Sequence, residues 1–290
     1  MPEPQSEPVP EPGMTPKKPA LGADFRVRLV SGVVMAAVAA AVLLSGPYPF
    51  YALVGLVAVL TSWEWSRLVR GGSGLDVAGG LHIACAAGCA LLAVLGWPGL
   101  GIMLAVIGSI LLFLLTVGGR SVLSTLGVLY AALPAISMIW LRSDASLGLS
   151  AVLFLIVVVV ATDVGAFVTG RLVGGPKLWP AVSPNKTWSG LAGAVGASAI
   201  AAALFALSVP GASSLRLAFV GGVLAVVAQA GDLAESSLKR HFHVKDTSNL
   251  IPGHGGIMDR VDGLVAAAMA VGLGTFLVNV YSPARALLLG

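Results

Sequence analysis

Charged residues are scarce in this chain, and their scarcity excludes a large soluble domain. Asp, Glu, Lys and Arg make up 10% of the 290 residues, whereas 57% of the residues are apolar. A typical soluble domain is roughly 25% charged. Unbroken apolar runs such as residues 151–161 can satisfy their backbone groups in lipid only as helices. The sequence therefore predicts an all-α, polytopic helical membrane protein.

Cysteine and the common nucleotide-binding patterns are also scarce or absent. Cys85 and Cys89 are the only two cysteines, and a spacing of four on one predicted helix is more typical of small-residue packing than of disulfide or metal chemistry. The absence of a Walker phosphate loop and of a Rossmann glycine pattern excludes the ordinary soluble nucleotide-binding folds. No basic and aromatic stripe accompanies the net charge of +4, so we expect no nucleic-acid partner.

About nine apolar runs approach the length of roughly 20 residues that a helix needs to cross a bilayer. Residues 1–24 are rich in Pro and Glu and are predicted to form a disordered cytoplasmic tail. N-terminal transmembrane helices are expected over residues 25–150, and C-terminal transmembrane helices that carry the candidate site over residues 151–290. The predicted spans lie near residues 27–45, 49–68, 76–95, 99–117, 122–141, 148–169, 188–208, 216–238 and 257–280.

The cations divide unequally between the two ends of these spans. Of the 17 Lys and Arg residues, all but Arg142, Arg216 and Arg285 fall on one face. The positive-inside rule then predicts a multi-pass protein of the cell (plasma) membrane, with the N-terminus in the cytoplasm and the C-terminus outside. Trp63-Glu64-Trp65 falls at the cytoplasmic end of the second span, where we expect an interfacial aromatic belt and a carboxylate that reaches water.

Two polar segments interrupt the apolar runs on the predicted cytoplasmic face. The first extends from Asp163 to Thr187, and the second covers residues 229–262. Asp163 lies eight residues before Arg171, which is about 12 Å along a helix. Asp163 should therefore lie below the lipid headgroups and requires a partner, either a metal ion or a lysine.

The second segment places acids and bases at helical spacing. Asp232, Glu235 or Ser236, and Lys239 share one helix face, and Asp259 and Asp262 open the last span. Carboxylates without cysteine favour Mg²⁺ or a similar hard cation, whereas the spacing of His243 and His254 gives no support for zinc. Cations supply the positive charge that a polyphosphate needs, and Gly255-Gly256 lets backbone amides approach an anion. These cations are Lys186, Lys239, Arg240 and Arg260.

Two readings without catalysis compete with an enzyme site. In the first, the polar loops of a transporter or scaffold only cap helices and set topology. That reading does not explain the carboxylates, because topology requires cations alone. The second is a transporter for a phosphorylated solute, but paired broken helices in two halves, which many transporters have, are not visible in the sequence.

The two polar segments resemble the phosphatidate cytidylyltransferases, or CDP-diacylglycerol synthases, over about the last 130 residues. The family signature reads here Ser236-x-Leu238-Lys239-Arg240, four residues, Lys245-Asp246-x-Ser248, two residues, Ile251-Pro252-x-His254-Gly255-Gly256-Ile257-x-Asp259-Arg260-Val261-Asp262. The upstream segment is similar to the family from Asp163-x-Gly165-Ala166 through Gly170-Arg171, Leu178-x-Pro180 and Ser183-Pro184-x-Lys186-Thr187-x-x-Gly190. Ser189 stands where the family often has Glu, and Ala194 where it often has Gly.

The resemblance implies transfer of a cytidylyl group from CTP to phosphatidate, with release of pyrophosphate, by a nine-span homodimer that uses Mg²⁺, alone or with a second cation. It implies metal binding by Asp163, Asp232 and Asp259, and catalytic roles for Asp232, Asp259, Lys239 and Arg240. The substrate-binding residues that it implies are Ser183, Asn185, Lys186, Thr187, Lys245, Asp246, His254, Gly255, Gly256 and Arg260. Another CTP-using membrane enzyme, a lipid-alcohol kinase or a cytidylyltransferase for an ether lipid, remains an alternative.

Overall fold

Long helices make up most of the structure. The computed structural model describes residues 21–116 and 120–290, and within the first helix it describes side chains from Val30 onward. The helices are α1 (Leu21–Leu44), α2 (Pro47–Arg70), α3 (Val77–Val94), α4 (Pro98–Leu115), α5 (Ser121–Arg142), α6 (Gly148–Leu172), α7 (Trp188–Ala206), α8 (Ser214–His241), α9 (Met258–Val278) and α10 (Pro283–Leu288). Two short strands, β1 (Lys177–Trp179) and β2 (Ser183–Thr187), lie between α6 and α7.

The predicted helical membrane architecture is confirmed. In the described part of the chain, eight helices, α2 to α9, are long and apolar enough to cross a membrane, and Val30–Leu44 of α1 is a shorter apolar stretch. The bounds of α2 to α9 differ from the predicted spans by at most three residues. Helix α1 begins at Leu21, inside the predicted tail of residues 1–24, and residues 1–20 lie outside the described residues.

Local chemistry explains several helix starts. Pro47 and Pro98 occupy the first positions of α2 and α4, where the missing N–H costs no hydrogen bond. Asp76 and Thr187 accept hydrogen bonds from the backbone N–H groups of Gly79 and Gly190, at 2.9 Å and 3.0 Å, and so cap the first turns of α3 and α7. These caps fix the direction in which each helix leaves its loop.

Small residues bring α6, α7 and α8 close together. The buried face of α7 repeats every four residues through Gly190, Ala194, Ser198 and Ala202. On this face the Ser198 hydroxyl lies 2.7 Å from the Thr162 hydroxyl of α6. Close approach of backbones through small residues is typical of helix packing in membranes, and here it places β2 and α7 beside the polar end of α6.

The ends of the helices form two chemically different faces. The carboxyl ends of α2, α6 and α8 meet the amino ends of α5, α7 and α9 on a polar face; for example, Trp65 Nε1 donates to the Leu123 carbonyl at 2.8 Å. Arg142, Arg216 and Arg285 lie at the opposite face. There Arg216 Nη2 donates to the Leu287 carbonyl of α10 at 2.9 Å. The described cations are therefore concentrated on one face.

The antiparallel hairpin of β1 and β2 pairs Lys177 with Thr187 and Trp179 with Ser183. From the sequence, this segment is expected to be a polar loop. Because β2 leads directly into the Thr187 cap of α7, the hairpin fixes where Lys186 enters the polar face.

Candidate active site

A cleft of about 540 Å³ opens on the polar face between α6, β2, α7 and α8. Its volume lies in the range of roughly 300–1,000 Å³ that is usual for small-molecule sites. Its walls combine charged and apolar side chains. The lining residues are Asp163, Ala166, Phe167, Gly170, Arg171, Asn185, Lys186, Thr187, Gly190, Leu191, Gln229 and Asp232.

A lysine–aspartate pair crosses this cleft. Lys186 Nζ lies 2.6 Å from Asp232 Oδ2 and 3.4 Å from the Gln229 carbonyl oxygen. The Ser236 hydroxyl donates to Asp232 Oδ1 at 3.3 Å. Asp163 lies within electrostatic range of Asp232, Asp262 and Lys186. The first polar segment and α8 thus meet in one site, and Lys186 is a cation near Asp163 of the kind that the sequence predicts.

A second lysine–aspartate pair is more deeply buried. Lys239 Nζ lies 2.7 Å from Asp259 Oδ1 and 3.3 Å from Glu235 Oε1. Glu235 is 2% exposed, and its carboxyl group lies near the Asp262 carboxyl. Since Asp232, Glu235 and Lys239 lie three and four residues apart on α8, the two pairs are neighbours on one helix face.

Asp259 also organises the loop that we call the signature loop, residues 242–257 between α8 and α9. Asp259 Oδ2 accepts hydrogen bonds from the Thr247 N–H at 2.9 Å, the Thr247 hydroxyl at 3.0 Å and the Gly256 N–H at 2.8 Å. The anion beside the Gly256 amide in the structure is thus a protein carboxylate. Asp259 therefore holds both Lys239 and the loop.

Glu64 of α2 is a site residue that the sequence analysis placed wrongly. It is 0% exposed, so the expectation that its carboxylate reaches water is wrong. Glu64 Oε1 accepts from the Ser248 hydroxyl at 2.6 Å and the Ile257 N–H at 2.9 Å. Glu64 Oε2 accepts from the Met258 N–H at 2.7 Å and the Thr247 hydroxyl at 3.3 Å. Trp65 is buried as well, at 6% exposure, so it does not belong to an interfacial belt.

One signal in the sequence could have identified Glu64. An acidic residue flanked by long apolar runs in a chain with only 13 Asp and Glu residues must offset a large desolvation cost. The two tryptophans around it suggested an interface, which hid that signal. The partners of Glu64 lie more than 180 residues away in the sequence, where no local pattern indicates them.

The remaining predicted site residues fall into three groups. Asn185 and Thr187 line the cleft beside Lys186, whereas Ser183 pairs with Trp179 in the hairpin and lies outside the cleft lining. His254 Nδ1 lies 2.8 Å from the Ser31 hydroxyl of α1, and Gly255 has a left-handed φ of 86°. The exposed group consists of Arg240, Lys245, Asp246 and Arg260.

Ser189, at the position where the resembled family often has Glu, has a local role. Its hydroxyl donates to the Gly174 carbonyl and lies 3.0 Å from the Thr187 hydroxyl. Ser189 therefore ties the start of α7 to the turn after α6.

The balance of acidic and basic groups in the site shows whether the predicted Mg²⁺ would fit there. Among residues 21–116 and 120–290, no three His, Cys, Asp or Glu side chains are grouped as a metal site, and Asp232 and Asp259 each face a lysine. The two adjoining pairs nevertheless bring together five carboxyl groups and two ammonium groups. Mg²⁺ commonly takes one or two carboxylates and completes its shell with water and phosphate oxygens. The excess of carboxyl groups over ammonium groups fits the binding of such an ion. The acidic residues are Asp163, Asp232, Glu235, Asp259 and Asp262.

Comparisons with known proteins identify the family of the chain. Two similar proteins are each named phosphatidate cytidylyltransferase. The one from Brucella suis biovar 1 (strain 1330) is 47% identical over 142 residues, which are 49% of this chain and 53% of the relative. The one from Bacillus subtilis (strain 168) is 39% identical over 145 residues, which are also 49% of this chain and 53% of the relative. The chain thus aligns with about half the length of these curated relatives. Residues 26–277 match the model described as "Cytidylyltransferase family", which covers most of the chain. The chain belongs to the cytidylyltransferase family.

Proposed function

We propose that this protein transfers a cytidylyl group from CTP to phosphatidate, forming CDP-diacylglycerol and pyrophosphate in phospholipid biosynthesis. The observation that carries the proposal is the Lys186–Asp232 pair in a cleft at the polar ends of membrane-crossing helices. A water-soluble nucleotide and a membrane lipid can meet at such a position. Family membership and the names of the relatives support the same reaction.

The reaction requires positioning and charge neutralisation more than proton transfer. A phosphate oxygen of phosphatidate attacks the α-phosphorus of CTP, a new P–O bond forms, and the bond to pyrophosphate breaks. Because the attacking oxygen is already anionic, no strong general base is required. Lys186 and Lys239 would exchange part of their contact with Asp232 and Asp259 for phosphate oxygens and so stabilise the charge of the leaving group.

A divalent cation, Mg²⁺ in our proposal, would neutralise phosphate charge when bound. Asp163 and Asp232 line the cleft and are the residues best placed to hold it. Asp259 stays a predicted ligand, but its Oδ2 already accepts three hydrogen bonds. We therefore assign Asp259 first to holding Lys239 and the signature loop.

Product analysis with labelled CTP tests the proposal. The purified chain in vesicles with phosphatidate and Mg²⁺ should move label from the α-phosphate of CTP into lipid and release label from the γ-phosphate as pyrophosphate. Label from the γ-phosphate in the lipid would indicate a lipid kinase instead. Flux of a phosphorylated solute without consumption of CTP would indicate a transporter. Omission of Mg²⁺ should abolish the transfer, and activity that survives chelation would refute the metal requirement.

The membrane placement follows from the same proposal. We propose that the polar face lies at the cytoplasmic side of the cell membrane, because CTP is cytoplasmic and the described cations gather there. The N-terminus would then be cytoplasmic, the C-terminus outside, and the enzyme a homodimer as in the resembled family. Cross-linking in native membranes tests the dimer, and labelling of single introduced cysteines from each side tests the orientation.

A further inference from the structure

The signature loop is anchored by a carboxylate from the first half of the chain. Glu64 lies on α2, whereas the four groups that donate to it belong to residues 247–258. All four are N–H or O–H groups, two for each carboxylate oxygen. An ionised carboxylate can only accept hydrogen bonds, and the four groups that contact the Glu64 carboxyl are all donors of the loop and of α9.

Glu64 also replaces a missing helix cap. Ile257 precedes α9 and has no side-chain cap of its own. The first N–H groups of a helix need acceptors, and a negative charge at this end is favourable. Glu64 accepts from the N–H groups of Ile257 and Met258. It thereby fixes the first turn of α9, which carries Asp259.

The Thr247 hydroxyl connects the two carboxylates that hold the loop. It lies 3.3 Å from Glu64 Oε2 and 3.0 Å from Asp259 Oδ2, and its single proton is shared between them. Asp259 in turn contacts Lys239 at 2.7 Å. A continuous polar path therefore leads from Glu64 through Thr247 and Asp259 to Lys239.

Gly256 is required by this packing. A Cβ at residue 256 would lie 2.5 Å from Glu64 Oε1 and 2.2 Å from Thr247 Oγ1, closer than nonbonded atoms approach. The absence of a side chain there lets the loop backbone close over the Glu64 carboxylate. The close packing against Glu64 and Thr247 thus explains why the signature has glycine at residue 256.

We propose that Glu64 is a positioning residue for the transfer reaction: it holds the signature loop and the first turn of α9 so that Asp259 and Lys239 face the reacting phosphates. Its complete burial keeps Glu64 itself from touching substrate. The catalytic consequence rests on the proposed function, whereas the anchoring of the loop does not.

Two measurements on the full-length protein test the proposal separately. Glu64→Gln keeps the size of the side chain but turns an amide donor toward groups that are themselves donors. Trypsin should then cleave after the exposed Lys245 at least about tenfold faster, because the loop opens locally. If the proposed reaction is correct, kcat per folded molecule should fall about 100-fold through misplacement of Asp259 and Lys239, with the KM values changed much less than kcat. Glu64→Asp keeps the carboxyl group on a shorter side chain. It should therefore recover part of the protection from trypsin and part of the kcat.

Matched variants separate positioning from general damage to α2. Thr61→Val removes a buried hydroxyl one turn before Glu64, and that hydroxyl has no hydrogen-bond partner among the described residues. Cleavage and kcat of this variant should therefore match the wild type. Ser248→Ala removes one of the four donors and decides the question if Glu64→Gln does not fold. The effects of Ser248→Ala on cleavage and kcat should lie between those of Thr61→Val and Glu64→Gln. Wild-type cleavage and kcat in both Glu64→Gln and Ser248→Ala would overturn the proposal. Faster cleavage of Glu64→Gln in a protein that lacks CTP-dependent activity altogether would uphold the anchor and refute the proposed function.

Discussion

The two lysine–aspartate pairs differ in what surrounds them, although both join α8 to another element. In the cleft, the side chains of Lys186 and Asp232 are 17% and 34% exposed, and Asp232 has one further hydrogen bond. At the signature loop, the side chains of Lys239 and Asp259 are 13% and 2% exposed, and Asp259 accepts three further hydrogen bonds. The same pairing can therefore leave charges available to a ligand in one place and fix a loop in the other.

This contrast predicts that the cleft pair contributes mostly to turnover. Asp232→Asn should lower kcat by about 100- to 1,000-fold, because it removes a charge that orients Lys186 and holds the proposed cation. Thermal unfolding in detergent should change little, since Asp232 is half-exposed. Lys177→Ala, on the same hairpin as Lys186 but outside the cleft lining, is the matched control and should keep full activity. An Asp232→Asn variant that turns over normally would remove the cleft pair from the mechanism.

The buried pair should contribute to both stability and turnover. Asp259→Asn is expected to cost about 3 kcal/mol of stability. It removes the closer of the two carboxylates that contact the buried Lys239, which leaves Glu235 as its carboxylate partner. It should lower kcat by about 100-fold through the displaced loop. The melting temperature and the rate per folded molecule separate these two effects.

A double variant sharpens that test. Asp259→Asn combined with Lys239→Met removes both charges, and the removal of a buried pair together is often close to neutral. Stability should therefore return toward the wild-type value while activity stays lost. If the double variant is as unstable as Asp259→Asn alone, the hydrogen bonds to the loop, rather than the Lys239–Asp259 charge pair, dominate the stability of this region.

The spans could be predicted from the sequence because their cause is local. Each apolar run must form a helix in lipid, and breakers such as Gly46-Pro47 and Trp97-Pro98 mark the ends. The shared face of Asp232 and Lys239 also followed from helical spacing alone. The hairpin at residues 177–187 was missed, since it contains no alternating apolar pattern.

Partners across the fold could not be predicted in the same way. The sequence indicated that Asp163 needs a cation but could not distinguish Lys186 from a metal ion. Glu64 was misread because its four donors come from a segment that only the packing of α2 against α9 brings near. Spacing finds groups on one helix, whereas pairing between helices depends on the tertiary arrangement.

A smaller effect is expected where a cleft residue also caps a helix. The Thr187 hydroxyl accepts from the Gly190 N–H at 3.0 Å, so Thr187→Ala should cost about 1 kcal/mol of stability. Thr187→Ser keeps the capping oxygen and should restore most of it. If Thr187 also binds substrate, as the family resemblance implies, the KM for CTP should rise in the alanine variant and recover in the serine variant. A KM for CTP that is unchanged in both would leave Thr187 with a capping role alone.

The smallest effect is expected at the opposite face, where a cation serves only the fold. Arg216 donates to the carbonyl oxygens of Ala286 and Leu287 at 3.4 Å and 2.9 Å, and a cation at the carboxyl end of a helix is stabilising. Arg216→Gln should therefore lower stability by about 0.5 kcal/mol and leave kcat and KM unchanged. Arg285→Gln removes an equal charge from an exposed position of α10 and controls for changes in membrane orientation. A loss of activity in Arg216→Gln without a change in stability would mean that the two faces are coupled, and that the cleft is not the only region that sets turnover.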